Sequence, residues 1–178
     1  MPDEVFLDDV LVPFANRVGE ENEGWAVAKL LMRFARANNT TSGQLRRTFR
    51  RAARIVESHG GVDARTLRTR LRELEIRLSA FEALELRTLC ETGTYDVPAV
   101  QASMVKTLAT ELHQKIATLA LEAAGQSAIA LPPADTTCSQ WLDEGCFASM
   151  KYFATRAASI YSGTNETHRN LIANNLLS

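Results

Sequence analysis

Residues capable of chemistry are concentrated near the C-terminus, in the stretch SIYSGTNETHRN at positions 159–170. Ser162 supplies a hydroxyl, Gly163 permits a tight chain reversal, and Thr164 is a favoured residue at a helix start. Glu166 would lie in the first helical turn, where a carboxylate complements the positive helix end. The N–H groups of a helix start can also receive a phosphate group or a cofactor edge. The stretch therefore predicts either a plain helix cap or part of a binding site.

A second candidate is a run of arginines between residues 43 and 58. Four of them lie on one side of a helix at this spacing: Arg47, Arg50, Arg51 and Arg54. Such a stripe could contact the phosphates of a nucleic acid or of a nucleotide-bearing ligand. It is also typical of a solvated face that pairs with acids of neighbouring helices. The net charge of −1 favours this second interpretation and argues against nucleic-acid binding.

The cysteines and histidines show no spacing that is typical of a metal site. They are Cys90, Cys138 and Cys146, and His59, His113 and His168. The odd number of cysteines and the lack of a CxxC pair indicate reduced thiols that serve packing, and no metal is expected.

Composition indicates a single globular domain. Of the 178 residues, 46% are hydrophobic and 23% are charged, which is enough apolar material for a real core. No stretch approaches the roughly 18 unbroken apolar residues of a membrane span. The N-terminal MPDEVFLDDV lacks the basic and apolar regions of a signal peptide. We therefore expect a cytoplasmic protein with no membrane partner.

The elements that position these residues are predicted to be helices. Apolar residues recur at spacings of three and four within residues 22–38, 43–58, 63–91, 97–125 and 140–158, and a last helix follows the turn. The apolar stripes are Leu45, Phe49, Ala52 and Val56 in the second helix, Leu67, Leu71, Leu74, Leu78 and Phe81 in the third, and Val105, Leu108, Leu112, Ile116 and Leu119 in the fourth. Helices of this length can bury their stripes only against one another, which predicts an all-α, antiparallel four-helix-bundle-type domain.

The N-terminal segment differs in character from the rest of the chain. Residues 4–19, EVFLDDVLVPFANRVG, are rich in β-branched and aromatic residues and are interrupted by Pro13. This composition predicts a short strand within an extended arm over residues 1–20. The arm is too short to form a sheet alone.

Both ends of the chain resemble the acyl-CoA dehydrogenase family. VFLDDVLVPFANRVGEENEGWAVAKLLMRFAR resembles the junction between the middle β-domain and the C-terminal helical domain. SIYSGTNETHRNLIANNLL is similar to the closing signature, in which Ile-Tyr precedes a residue, Gly-Thr and later an Arg. The resemblance implies that residues 1–20 end the middle β-domain and that residues 21–178 form the C-terminal helical bundle domain.

This resemblance implies an oxidoreductase function in fatty acid metabolism. Family members are flavoproteins that carry out α,β-dehydrogenation of an acyl-CoA thioester with FAD. Their C-terminal domain forms one wall of the FAD and acyl-CoA sites and the interface of a homodimer or homotetramer. FAD is therefore implied for the complete protein. This chain alone is not expected to hold it, because the Arg-x-x-Phe-Gly flavin motif is absent and the usual Gly-Gly before the fifth helix is reduced to AAGQSA.

The family's catalytic glutamate has no counterpart in this chain. Its two known positions correspond to Ser162, before the Gly-Thr, and to Ala35 in RFARAN. A serine hydroxyl is no base at neutral pH without an activating partner. The resemblance thus implies a non-catalytic subunit or fragment, or a mixed oligomer with a catalytic homologue.

Other family positions are retained. Gly163, Thr164 and Glu166 match residues at the FAD site, and Arg36 matches an arginine on the acyl-CoA side. Arg36 could equally form an ion pair that holds the first helix, and Glu166 could serve only as a capping residue. The alternative function, from a different class, is a non-enzymatic helical oligomerisation or scaffold domain.

Overall fold

The computed structural model describes residues 4–38, 40–58, 63–92, 98–129 and 144–177, and for residues 32–38 and 92 it describes the backbone only. Within these ranges the chain is helical and contains no strand. The α-helices are α1 (Gly24–Asn38), α2 (Ser42–Ser58), α3 (Ala64–Thr92), α4 (Ala99–Ala124), α5 (Glu144–Arg156) and α6 (Asn165–Leu177). The predicted all-α bundle is therefore confirmed.

Helix α4 is the centre of the bundle. It packs against α2, α3, α5 and α6, and to a smaller extent against α1. Its sequence is rich in alanine and small polar residues, and Ala109, Ala117 and Ala120 are fully buried. Small side chains on several faces let four neighbours approach one helix closely.

The predicted apolar stripes of α2 and α3 form much of the core. Leu45, Ala52 and Val56 of α2 are fully buried, and Leu78 of α3 is as well. Leu67 is only partly buried against this cluster. Leu108 of α4 departs from the prediction because its side chain is 46% exposed. It lines an open apolar groove between α3 and α4 together with Leu84.

Polar contacts fix α2 against α3. Arg46 donates from Nε to Glu82 Oε1 at 2.8 Å, and its guanidinium also lies 3.9 Å from Glu75. The backbone N–H of Ser42 donates to both carboxylate oxygens of Glu85 at 3.2 Å, which satisfies a free donor at the start of α2. This pairing involves Arg46, which lies outside the predicted stripe of Arg47, Arg50, Arg51 and Arg54.

The N-terminal arm forms no strand within residues 4–20, so the predicted short strand is wrong for this part of the chain. A strand needs a partner for its backbone groups, and the described residues offer none. The segment instead contains one short 3-10 helix, Phe14–Asn16. Apolar residues of the arm and of α1 are exposed, including Phe6, Leu11, Trp25 and Leu31.

The connection between α4 and α5 begins with Gly125, which adopts a left-handed backbone (φ 55°) beyond the last turn of α4. A 3-10 helix, Gly125–Ala128, follows and packs against α5. The predicted start of the fifth helix near Gln140, and also Cys138, lie outside the described residues. Of the other cysteines, Cys90 is exposed and Cys146 is buried in α5. No helix in the described ranges is long and apolar enough to cross a bilayer.

Candidate functional site

The turn between α5 and α6 has the tight geometry that its sequence predicts. Ser162 and Gly163 both adopt left-handed backbone conformations, with φ of 57° and 90°. Such a conformation is rare for a residue with a side chain, so Ser162 is held there by its surroundings. The Thr164 hydroxyl accepts a hydrogen bond from the backbone N–H of Thr167 at 3.2 Å. The predicted roles of Gly163 in the reversal and of Thr164 as the N-cap of α6 are therefore observed.

His168 holds the turn from below. Its Nε2 lies 3.0 Å from the carbonyl oxygen of Ser162, and its Nδ1 lies 3.0 Å from the hydroxyl of Ser103 on α4. Because a carbonyl oxygen can only accept, Nε2 carries the proton in the first of these bonds. The ring also closes the space above it, since a Cβ at Gly163 would lie 3.0 Å from His168 Nε2. A side chain at this position would thus be strained in its backbone and tight against the His168 ring.

Lys106 forms the second anchor of the turn. Its Nζ donates to the Gly163 carbonyl oxygen at 2.8 Å and to Asn165 Oδ1 at 2.8 Å. The side chain is 2% exposed, and burial lowers the pKa of Lys106, with the nearby Glu166 acting in the opposite direction. The Thr110 hydroxyl also lies 3.2 Å from Asn165 Oδ1. Together with the serine that meets His168, three side chains of α4 bind the turn and the first turn of α6.

Glu166 is exposed at the positive end of α6. Its own backbone N–H lowers the pKa of the carboxyl group most, followed by the hydroxyl of Thr164. The carboxylate is therefore ionised at neutral pH and already occupies the helix end. A phosphate group placed at this turn would meet that negative charge. An uncharged ring edge that lies against Ser162 and Gly163 would not be repelled by the carboxylate of Glu166.

The described residues do not show the other predicted site residues, Ala35 and Arg36, close to this turn. Ala35 and Arg36 lie on α1, but their side chains fall outside the described residues. Ser162 is exposed, and the hydrogen bond that His168 makes to it goes to the carbonyl oxygen. Ser162 is thus positioned by its backbone, and this contact does nothing to activate the hydroxyl.

Three of the four arginines of the α2 stripe line a separate cleft of about 530 Å³ between α2 and α5, and Arg50 is not among them. Arg47, Arg51 and Arg54 form one wall, and Lys151 of α5 lies opposite. His113 of α4 lies at the base, 8% exposed, with Nε2 3.2 Å from the Thr48 hydroxyl. Because that hydroxyl donates to the Gln44 carbonyl oxygen, Nε2 is the donor to it.

Burial and the positive charge of Lys151 lower the pKa of His113 from 6.5 to about 4. An unfolded chain therefore binds a proton between these two values that the folded chain does not, so stability falls as the pH is lowered through this window. A tenfold change in proton affinity corresponds to about 1.4 kcal/mol, so the free energy of unfolding should fall by about 2 kcal/mol between pH 7.5 and pH 5 through His113 alone.

Urea unfolding at the two pH values in a phosphate-free buffer measures this loss. His113→Gln keeps a neutral donor toward Thr48 and removes the titration. The variant should lose about 2 kcal/mol less stability than the native chain over the same interval. Equal losses for the two chains would show that His113 is protonated in the folded state as readily as in the unfolded one.

The anchoring residues beneath the turn were not predicted from the sequence. Ser103, Lys106 and Thr110 lie on one face of α4 at spacings of three and four, and this face contacts α6. A prediction made from the apolar stripe of α4 alone overlooks the polar stripe on the same helix. A lysine inside a polar stripe of an otherwise apolar helix was the available signal.

Known proteins resemble this chain in sequence. A family model for the C-terminal domain of acyl-CoA dehydrogenases matches residues 22–177. Two curated relatives, both named acyl-CoA dehydrogenase IpdE1, come from Mycobacterium tuberculosis and Mycolicibacterium smegmatis and are 28% and 27% identical over 176 residues. These alignments cover 98% of this chain and 43% and 41% of the relatives. The chain thus spans less than half the length of the curated relatives it matches.

Solved structures share the fold. The Tcur3481-Tcur3483 steroid ACAD G363A variant gives a TM-score of 0.72 at 18% identity, with 93% of this chain and 43% of that chain covered. PigA with FAD and proline gives 0.71 at 18%, covering 95% and 43%. The prolyl acyl carrier protein oxidase AnaB gives 0.65 at 22%, covering 93% and 42%.

The helical bundle with a capped turn before its last helix has the fold that these solved structures share. The family match over residues 22–177 then shows that the chain belongs to the acyl-CoA dehydrogenase family. The predicted family and fold are both confirmed.

Proposed function

We propose that this chain forms the helical wall of an FAD and acyl-CoA site in an acyl-CoA dehydrogenase-like flavoprotein. The observation that carries the proposal is the turn at Ser162 and Gly163, which is exposed yet fixed from below by Lys106 and His168. A surface held this rigidly is suited to positioning a ligand. Family membership supplies the class of ligand.

In this proposal the chain positions the ligand and does not react with it. FAD, when bound, accepts the hydride that leaves the β-carbon of the acyl group. The backbone of Ser162 and Gly163 would support the edge of the flavin ring, and Thr164 would keep that backbone in place through its cap of α6. Arg36, by its family position, would serve the acyl-CoA side. The negative Glu166 leaves this turn suited to the ring and unsuited to the phosphates of either molecule.

We infer that the chain does not supply the catalytic base. Ser162 and Ala35 stand at the two family positions for that glutamate. A general base at neutral pH needs a pKa raised toward 7, usually by enclosure in an apolar pocket. Glu166 shows the opposite, because it is exposed and its pKa is lowered. In a mixed oligomer the base would come from the catalytic homologue, whereas a homodimer or homotetramer of this chain would have no glutamate at either position.

Exposed apolar side chains support an assembly. Trp25 and Leu31 on α1, and Ile76 and Leu89 on α3, are each more than half exposed. Apolar surface of this extent is typical of an interface. The proposed assembly is a homodimer, a homotetramer or a mixed oligomer with a catalytic homologue. The similar steroid ACAD, Tcur3481-Tcur3483, is named for two components, which favours the mixed form for this chain.

Purification of the tagged chain from its native cells with its bound partners tests the proposal. The assembly is expected to contain flavin, and an acyl-CoA should bleach the flavin absorbance under anaerobic conditions. An assembly without flavin whose absorbance no acyl-CoA changes would contradict the enzymatic role. It would favour the alternative, a non-enzymatic oligomerisation or scaffold domain.

A substitution in the same assembly tests the placement of the turn. Ser162→Glu restores a carboxylate at the family position, and we expect it to raise α-proton exchange of a bound acyl-CoA by tenfold or more, within the range of about 10²–10⁴-fold for a positioned base. Asn170→Glu adds the same charge at an exposed position on α6 away from the cap and should leave exchange unchanged. Equal rates in the two variants would place the substrate away from Ser162.

A further inference from the structure

The groove between α3 and α4 lies between two side-chain bridges. Arg70, near the start of α3, pairs with Glu122, near the end of α4. Gln101, near the start of α4, donates from Nε2 to a carboxylate oxygen of Glu91, near the end of α3, at 3.3 Å. The two helices are therefore antiparallel, and the bridges fix which residues of α3 and α4 stand opposite each other. The groove opens between the bridges with a volume of about 390 Å³.

The register set by these bridges places two cations opposite each other. Arg77 is seven residues along α3 from Arg70, and Lys115 is seven residues back along α4 from Glu122. Seven residues make about two helical turns, so both cations stay on the faces that carry the bridge. Both of them line the groove and also the cavity of about 310 Å³ that continues it toward Arg70. Unlike the outer pair, Arg77 and Lys115 repel each other and leave the surface open.

A further step of seven residues along each helix gives an apolar pair. Leu84 of α3 and Leu108 of α4 line the groove about 10 Å from the two cations along the helix axes. Phe81 and Leu112 form its floor and are 3% and 6% exposed. The groove is therefore apolar over much of its length and cationic at one end.

The acids of this surface do not cancel the charge of the two cations. Glu111 is the one acid among the described residues that line the groove, and it pairs with Arg169 of α6. Glu73 lines the adjoining cavity and lies within about one turn of Arg77 on the same helix. Within the described part of the chain, neither Arg77 nor Lys115 forms an ion pair. Two cations against the one remaining acid leave an excess of one positive charge, which a single anionic group would neutralise.

We propose that the groove between α3 and α4 binds an aliphatic carboxylate, with its head group between Arg77 and Lys115 and its chain between Leu84 and Leu108. A guanidinium group offers two parallel N–H donors to a carboxylate, and the ammonium group opposite offers another. The alkyl chain gains free energy by covering the apolar floor. The volume of about 390 Å³ lies within the range of small-ligand pockets.

This site is separate from the turn on which the proposed function rests. The groove uses the side of α4 that faces α3, whereas Lys106 and Ser103 contact the turn and α6 from another side of the same helix. The inference therefore goes beyond the proposed function, and it stands whether or not the chain takes part in dehydrogenation.

Titration calorimetry of the chain with octanoate at low salt tests the head-group site. The comparison ligands are 1-octanol, which has the chain without the charge, and acetate, which has the charge without the chain. Octanoate should bind about tenfold more tightly than 1-octanol, and acetate should bind least, because an exposed ion pair contributes up to about fivefold. The double variant Arg77→Gln, Lys115→Gln should weaken octanoate binding by about tenfold and leave 1-octanol binding unchanged. Arg65→Gln with Arg72→Gln is the matched control, because it removes two exposed arginines of α3 that do not line the groove.

A second variant tests the chain site independently of charge. Leu108→Ser should weaken octanoate and 1-octanol binding alike, by about fivefold, because it removes apolar surface that both ligands cover. Leu86→Ser is its control, since Leu86 is 62% exposed on α3 and does not line the groove. It should leave the affinity for both ligands unchanged.

Several outcomes would overturn the site. They are equal affinities for octanoate and 1-octanol, full octanoate binding by the Arg77 and Lys115 variant, or an equal loss in the arginine control. Analytical ultracentrifugation tests the other occupant. Self-association that Leu108→Ser abolishes and octanoate leaves intact would make the groove an interface between two copies of the chain. None of these measurements involves flavin, so failure here leaves the proposed function standing, and an assembly without flavin leaves this site standing.

Discussion

Replacing Lys106 with Met is expected to lower the free energy of unfolding by about 3 kcal/mol. Removing a buried charged donor loses hydrogen bonds worth about 1.5–3 kcal/mol and leaves their acceptors without a partner. Here the stranded acceptors are the Gly163 carbonyl oxygen and, in part, Asn165 Oδ1, which each lie 2.8 Å from Nζ. The methionine has a similar volume, so the loss comes from the hydrogen bonds and only slightly from packing.

Urea unfolding at pH 7 measures this effect, and Lys115→Met is its matched control. Lys115 lies on the same helix but is exposed, so its replacement should change stability by less than about 0.5 kcal/mol. Similar losses in the two variants would mean that Lys106 acts only through the charge of α4. A stable Lys106→Met chain would mean that the turn finds other donors.

The Lys106 substitution should also affect the turn more than the bundle. Lys106 connects α4 with the Gly163 carbonyl and α6, whereas the core of α2, α3 and α4 lies elsewhere. Amide hydrogen exchange should therefore accelerate first in residues 162–168. This local response links the buried lysine to the proposed ligand surface.

Replacing Gly145 with Ala is expected to destabilise the chain by about 3 kcal/mol, the upper end of the usual cost of overpacking. A Cβ at this position of α5 would lie 2.6 Å from the carbonyl carbon of Ser127 and closer still to its oxygen. These are backbone atoms of the 3-10 helix that follows α4, so no side-chain rotation can relieve the overlap. Helix α5 would have to move away from the end of α4.

Gly43→Ala is the matched control for this substitution in thermal and urea unfolding. Gly43 is also helical, and the nearest atom to an added Cβ is the Thr41 hydroxyl oxygen at 3.9 Å. With room for the methyl group, the higher helix propensity of alanine should raise stability by about 0.5 kcal/mol. A Gly145→Ala chain as stable as the control would show that α5 is not packed this closely.

The number of helices and most of their faces could be predicted because helix formation follows a local periodicity. Leu71, Leu74 and Leu78 repeat at the helical spacing, and any helical bundle buries such a stripe. The cap at Thr164 and the reversal at Gly163 are equally local, since each depends on residues within one turn. The prediction for Leu108 is wrong because the neighbour facing it is a matter of tertiary packing.

Contacts that join distant parts of the chain could not be predicted from local pattern. Lys106 meets Gly163 across 57 positions of sequence, and His168 meets Ser103 across 65. Such contacts depend on how the helices pack, and the local pattern of a single sequence does not show which polar residue of α4 faces the turn.

The amino-acid sequence thus determined the helices, the capped turn and the absence of a carboxylate at Ser162 and Ala35, because these depend on residue type and short-range spacing. Tertiary structure alone decided that α4 is central and that a buried lysine supports the turn. It also decided that Arg46 of α2 pairs with Glu82, while Arg47, Arg51 and Arg54 line the cleft between α2 and α5. The physical reason is that burial and electrostatic pairing depend on which helices become neighbours.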